Sequence, residues 1–411
     1  MKRSLALILV LMCLMLSGCR YSHEITDMAF AVALGFDKAE EGLLISMQFA
    51  RPLSISGNGE AGGGESSESD DKDAAKNKNT TLLSVKAEDF YTALSIAENS
   101  LSKQINLSHV KLVLFSSELA QDGIGDYVTM LMKNSQLAPN TYTAITLCSA
   151  KDYLSEANPS LEINPAKYYT LLFSRNDSNF MPSTSLRDLY FDLFAPEKEA
   201  VLPAANLNKN TDKKKENNAP GEDYAAGDAK KEGENKTDVS GLVALKGGKL
   251  CGVLSANEAT AYHILTGELK NAYISIKSET HKNEFITIRL TQDVAPKITV
   301  SISDDGPQIS ANVRLSGELL ACPDEDLKKL GTDGINDMAA RIVTARLSGF
   351  FNLTREQLGA DIAGFGKKAK INFSDYPSWE NFDWQKKYQN AEFLPEVSVN
   401  ISREGLLFGG S

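Results

Sequence analysis

The spacing of hydrophobic positions changes several times along this chain, and each change predicts a different element. The first run is unbroken: Leu5 to Leu16 is 12 apolar residues behind Lys2 and Arg3. A basic head with a short apolar core is a secretory signal peptide, here residues 1–18, because crossing a bilayer takes about 20 apolar residues. Apolar runs at Phe30–Phe36 and Leu43–Phe49 then predict two strands joined by the turn residues of 37–42. Leu82–Val85 predicts a short strand. Glu88–Gln104 places Phe90, Leu94, Ala97 and Leu101 on one helical face. Val110–Phe115 reads as a buried strand, Glu118–Lys133 as a helix carrying Leu119, Ile124, Val128 and Leu131, and Tyr142–Cys148 as a strand. Ala150–Ala157 and Pro165–Ser174 read as helices, the second with proline in its first turn. Residues 20–195 therefore form one predicted α+β unit.

Two polar tracts break the pattern. Residues 54–81 form an expected flexible insertion, with Gly62-Gly63-Gly64, Ser66-Ser67 and Asp70-Asp71. Residues 196–238 form an expected flexible linker. Such composition offers too little apolar surface to offset ordering entropy. Lys213-Lys214-Lys215 sits among Asp212, Glu216, Glu222 and Asp223, so it reads as a solvated mixed-charge segment, not a recognition patch. Residues 239–320 are strand-rich: Gly241–Lys246 and Lys249–Leu254 flank Gly247-Gly248, a hairpin turn. A helix at Ala256–Leu265 precedes strands at Ala272–Lys277, Phe285–Leu290, Lys297–Ile302 and Ile309–Leu315. Residues 321–411 are helix-rich, with Glu325–Phe351 and Arg355–Lys370 before a last strand, Val397–Ile401. The predicted fold class is α+β and multi-domain, with two or three α+β domains and mostly antiparallel sheets.

Ser17-Gly18-Cys19 ends the first apolar run and resembles the bacterial lipobox. That resemblance implies cleavage before Cys19, a diacylglycerol on its thiol, and attachment to a membrane by the lipid. Two acyl chains hold a protein stably where one holds it only marginally, at about 0.8 kcal/mol per buried CH₂.

Composition narrows the classes. Hydrophobic residues are 42% and charged residues 24%, ordinary for a globular chain. The net charge of −11, with no basic stripe, argues against nucleic acid, whose phosphates demand clustered Lys and Arg. Of five cysteines, Cys13 lies in the signal and Cys19 takes the lipid. Cys148, Cys251 and Cys322 are odd in number and far apart, so they read as small buried hydrophobes, not as a disulfide framework. His23-Glu24 begins like HExxH, but Asp27 stands where the second histidine is needed. His263 and His281 lie on different predicted elements without ligand partners at metal spacing. Gly364-Phe365-Gly366 lacks the third glycine and the βαβ context of a dinucleotide site. No catalytic, cofactor or metal residue is predicted, and the functional weight falls on binding.

Four stretches in order then resemble one family. Glu24-Ile25-Thr26-Asp27-Met28-Ala29-Phe30 with Ala33-Leu34-Gly35-Phe36-Asp37-Lys38 resembles the lipoprotein C subunits of spore germinant receptors, the Ger(x)C family. His109–Phe115 followed by Glu118-Leu119-Ala120 is similar to its strand-to-helix step. Gly241–Lys246, Lys249–Gly252, Glu258 and Leu265-Thr266-Gly267 resemble its second half. Asp361–Gly366, Tyr376-Pro377, Trp379 and Trp384 resemble its terminal helix and loop. Two departures stand out: Arg20-Tyr21 replaces the usual tryptophan and acidic residue, and the two polar tracts look like insertions. The resemblance implies a three-domain α+β protein without enzymatic activity, lipid-anchored on the outer face of the spore inner membrane. It implies assembly with two integral membrane subunits, of A and B type, into a receptor that answers nutrients and triggers germination. A directly bound small molecule is not expected.

Two other classes compete. An extracellular solute-binding lipoprotein of a transporter would show two alternating βα domains around a cleft, against the sequential strands of the second half. A secreted lipoprotein hydrolase would carry a nucleophile motif, and none is found. Tyr376, Trp379, Phe382 and Trp384 are a candidate docking patch, or simply the packing of the last region.

Overall fold

The computed structural model describes residues 27–51, 79–157, 161–162, 164–174, 179–208, 223–229, 231, 233, 235–304 and 306–402. Cys19, the expected signal peptide, residues 54–78 of the first polar tract and residues 209–222 of the second lie outside them.

A large mixed sheet organises the first half. Strands β1 (Met28–Lys38), β2 (Leu43–Ala50) and β3 (Thr80–Ala87) form an antiparallel edge. β5 (Leu112–Ser116) and β6 (Tyr142–Thr146) continue parallel to β1, followed by β7 (Val201–Leu207), β8 (Thr237–Lys246) and β9 (Lys249–Leu254). A short β4 (Gln104–Asn106) flanks the start of β1. Helices cover both faces, so the central strands are buried twice over and lose the alternation of a half-exposed strand. On one face α1 (Phe90–Ser100), α2 (Ser117–Asp122), α3 (Gly125–Lys133) and α6 (Leu186–Leu193) pack on Leu34, Phe36, Val113, Phe115 and Ile145. On the other, α4 (Ala150–Glu156) and α5 (Pro165–Phe173) pack on Val32, Ala33, Leu112, Leu114 and Ala144.

The stretch Gly35-Phe36-Asp37 shows why such residues recur at a strand-to-helix contact. A Cβ on Gly35 would stand 2.9 Å from the Ala150 Cβ, so glycine lets α4 lie directly on β1. Two residues on, buried Asp37 accepts the N–H groups of Ala150 at 2.6 Å and Lys151 at 2.9 Å. The strand thus caps the helix that packs on it.

The second half is built around β13 (Gly306–Ala321). β10 (Ala272–Lys277), β11 (Phe285–Thr291) and β12 (Lys297–Ser303) join through antiparallel pairs, and β14 (Glu392–Ser402) runs parallel to β13. The long α8 (Asp324–Asn352) turns Ile335, Ala339, Val343, Leu347 and Phe350 toward this sheet, a helical stripe at intervals of three and four. It is interrupted at Gly331, where φ is 65°. Its core includes Val201, Leu242, Ala244 and Leu254 of the first sheet and Ala259 to Leu265 of α7 (Ala256–Thr266), so the halves share one apolar body.

Several expectations need correction. The expected insertion 54–81 overlaps β3, because Thr80 and Thr81 pair with Ala50 and Phe49 of β2. The expected linker 196–238 contains β7, paired with both β6 and β8, and ends inside β8. Its Leu-Pro-Ala-Ala-Asn sequence has no alternation because Val201–Asn206 are buried on both sides. The strands of 239–320 divide between the sheets: β8 and β9 complete the first, and β10 to β13 build the second. The expected helix 88–104 stops at Ser100, and 118–133 breaks at Gly123, where φ is 117°. The expected helix 355–370 is instead a π-helical turn (Leu353–Leu358), a loop, and short α9 (Gly366–Ala369). The hairpin at Gly247-Gly248 is as predicted, with φ of 56° and 79° suiting a tight turn. The α+β class with mostly antiparallel sheets holds.

Candidate functional site

No catalytic constellation stands out among the described residues, and the most elaborate polar arrangement is a joint. The loop Gly359–Phe365 leaves α8 and meets Glu197-Lys198-Glu199, just before β7. Asp361 is fully buried there. Its carboxylate accepts the N–H of Gly364 at 2.8 Å, of Gly366 at 2.7 Å and the indole Nε1–H of Trp384 at 2.8 Å. Its carbonyl accepts the Glu199 N–H at 2.9 Å, tying second half to first. Burial pushes the Asp361 carboxyl above the ordinary carboxylate range, although the four donors around it, from Gly366, Trp384, Phe365 and Gly364, pull it back.

The first half answers with charges of its own. Lys198 pairs with Asp192 at 2.8 Å under the Tyr262 ring, and Lys370 pairs with Glu197. Burial lowers the Lys198 ammonium, but Tyr262 and Asp192 outweigh it and hold its pKa above the usual lysine value. At neutral pH Asp192 is the working partner, since burial keeps the Tyr262 phenol neutral. Glu199 accepts the Gly247 N–H at 3.0 Å from the hairpin turn. Gly366 sits where nothing larger fits: a Cβ would lie 2.3 Å from the Glu197 carbonyl and 2.6 Å from Trp384. This arrangement ties the two halves together through the Asp361–Glu199 hydrogen bond and the Lys370–Glu197 ion pair.

The aromatic residues of the terminal region divide. Trp379 of α10 (Tyr376–Phe382) and Trp384 of α11 (Trp384–Tyr388) are each 2% exposed, with ring centroids 6.2 Å apart. They belong to the core with Phe365 and Tyr388, as does half-buried Phe382 at its margin. Tyr376 alone is well exposed, beneath the Lys370 ammonium. The candidate docking patch is therefore mostly core packing. His263 is buried, with Nε2 3.0 Å from the Met181 carbonyl, and His281 lies in an exposed turn with Thr280. Cys148, Cys251 and Cys322 are unlinked and half-buried. Among the described residues no group of His, Cys, Asp and Glu could hold a metal ion, and no helix is long and apolar enough to cross a membrane. Cys19 falls outside the described residues. Sequence reasoning missed Asp37, Lys198 and Asp361 as polar keystones, since only the fold brings their donors together.

Comparison with known sequences follows the same division. Residues 21–207 match the family described as "Spore germination protein N-terminal domain", and residues 240–405 match "Spore germination B3/ GerAC like, C-terminal". The chain belongs to the Ger(x)C family. It is 32% identical over 161 residues to YfkR of Bacillus subtilis (strain 168), also named for spore germination, across 38% of either chain. It is 25% identical over 125 residues to spore germination protein KC of that organism, across 30% of this chain and 28% of that one. The matched stretches thus span well under two thirds of these relatives' lengths. The crystal structure of the GerBC protein shares the fold, with a TM-score of 0.51 at 13% identity, over 90% of this chain and 96% of that one. For this Ger(x)C protein, then, the resembling segments noted in the sequence prove to be structural: Gly35 and Asp37 seat α4, and Asp361 and Gly366 lock the joint.

Proposed function

We propose that this protein is the non-enzymatic C subunit of a nutrient germinant receptor, tethered by a lipid on Cys19 to the outer face of the spore inner membrane. There it assembles with two integral membrane subunits, of A and B type. The observation that carries this reading is the pair of spore germination family matches, in order, on one body that shares the GerBC fold. The joint at Asp361 supports a role in assembly, because its buried contacts hold the two halves against each other. Tethering confines that unit to a thin layer above the membrane and raises its effective concentration toward membrane partners, so that modest docking contacts suffice.

The test is genetic and biochemical together. Deleting the gene abolishes one nutrient response while leaving spore heat resistance intact, and the wild-type gene restores it. A Cys19→Ala protein leaves the membrane fraction and fails to restore the response. Full restoration by an unacylated Cys19→Ala protein, or an unchanged response to every nutrient after deletion, overturns the proposal.

A further inference from the structure

Three of the five most exposed large apolar side chains among the described residues lie around the outer rim of the joint. Phe191 and Phe194, at the end of α6, are each 63% exposed, and Ile371, just after α9, is 77% exposed. Grouped apolar exposure of this kind marks a contact surface. Phe191 and Phe194 are held by Tyr190, whose ring centroid stands 5.7 and 5.1 Å from theirs. Glu197, three residues beyond Phe194, pairs with Lys370, the neighbour of Ile371. The hairpin at Gly247-Gly248 closes the group, since a Cβ on Gly248 would stand 3.6 Å from the Leu193 side chain.

The charge around these residues is basic. Lys246 and Lys249 of the hairpin and Lys367 and Lys368 of α9 are all exposed. Carboxylates that meet this surface are already engaged: Glu197 by Lys370, Asp192 by Lys198, Glu199 by the Gly247 N–H, and Asp375 by the Ser378 N–H of the helix it caps. On a chain of net charge −11, this is a local surplus of positive charge.

Topology gives the surface a direction. β1, β5, β6 and β7 run parallel, so the residues entering β7 lie at the end of the sheet where β1 begins. Three strand spacings, about 14 Å, separate β7 from β1. From Cys19 to Asp27 the chain spans at most about 28 Å. A lipid on Cys19 therefore keeps this end of the body within reach of a bilayer.

We propose that this end of the first sheet rests on an anionic bilayer surface. Phe191, Phe194 and Ile371 enter the interface, and Lys246, Lys249, Lys367 and Lys368 face lipid phosphates. Phenylalanine with lysine is the combination that interfacial segments use. Each lysine near anionic headgroups strengthens binding about fivefold. The orientation rests on the tethered-subunit reading; the lipid contact itself does not.

The experiment uses the mature chain from residue 19, as Cys19→Ser so that no acyl group contributes. Vesicles are phosphatidylcholine alone or an equal mixture with phosphatidylglycerol. The chain cosediments with the mixed vesicles at least about tenfold more tightly than with phosphatidylcholine, and added salt releases it. Lys367→Glu with Lys368→Glu, and separately Phe191→Ser with Phe194→Ser, each weaken binding at least about tenfold. Lys297→Glu, the same charge change on the open face of the second sheet, leaves binding within about twofold. The lysine variants melt within about 2 °C of the parent chain, and they decide the matter if the phenylalanine pair unfolds it. Undiminished binding by the lysine pair, or no preference for the mixed vesicles, overturns the proposal. An equal loss with Lys297→Glu shows unspecific charge attraction and overturns it as well. If the chain binds no vesicles, yet recovers the membrane subunits through these same residues, the surface is a protein interface and the lipid proposal falls. Acylated wild type found free of spore membranes, with vesicle binding intact, fails the tethered reading and keeps the lipid surface.

Discussion

Trp384 donates its indole N–H to Asp361 across 2.8 Å, joining the terminal helices to the loop that touches the first sheet. The bond is fully enclosed: without Asp361 the indole N–H is left without this partner, whereas without the indole the same Asp361 oxygen still accepts the Gly366 N–H. That asymmetry sets the size of the effects expected around it.

Trp384→Phe removes the donor and keeps most of the ring volume, and is expected to cost about 1–3 kcal/mol. Asp361→Ala strands the backbone N–H groups and the indole at once and is expected to cost roughly 3–5 kcal/mol. Urea unfolding measures both. The chain has only two tryptophans, both in this region, so their fluorescence reports its opening directly. Equal costs for the two variants would show that the indole bond is the whole of the effect.

Gly366→Ala tests whether the joint couples the two halves. The added methyl drives against the Glu197 carbonyl, which is backbone and cannot swing aside. The halves should then melt as two transitions in calorimetry where the wild-type chain gives one. A single, unshifted transition counts against a rigid joint.

Asp37 carries a pH signature. Burial raises its carboxyl above the unfolded value, with the Lys151 and Ala150 N–H groups opposing. As pH climbs from about 3.9, the unfolded chain therefore releases this proton first. Its contribution to stability falls across that window and is flat above the folded-state value. Asp37→Asn should lose that slope while costing about 1–3 kcal/mol, since one amide face cannot accept the helix N–H. Urea midpoints at pH 4, 5.5 and 7 distinguish the cases.

Cys251 should be a poor nucleophile despite partial exposure. Burial, helped by Glu199, pushes its thiol up to about 11. Alkylation by iodoacetamide at pH 8 is then expected to run more than about 100-fold slower than in the unfolded chain. Mass spectrometry of the Cys251 peptide reads the rate, and fast labelling of the folded protein contradicts the burial argument.

What the sequence showed depends on how many faces of each element are buried. The hairpin at Gly247-Gly248 was legible from its turn residues, while strands Phe285–Leu290 and Lys297–Ile302 keep a more open face, and their alternation is plain. β7 has no such face: Leu202-Pro203-Ala204-Ala205 is enclosed on both sides, and its small residues resemble a linker. Ile362, Phe365 and Ala369 are spaced like a helical face and are all buried, yet Ile362 lies in a loop. Left-handed Gly359 had already turned the chain out of the helix. Burial was legible there and conformation was not.

The parallel pairing of β14 with β13 also has a kinetic side. Eleven residue pairs, Gln308–Glu392 through Glu318–Ser402, join segments more than eighty positions apart. Such distant contacts are slow to form, because a long loop must close before any of them contributes. A nascent chain halted before Glu392 therefore carries β13 with one side unclothed, a flat template for its neighbours. That template stays open until Glu392–Ser402 has emerged and paired with it, which is the interval in which the chain is most exposed to pairing with copies of itself.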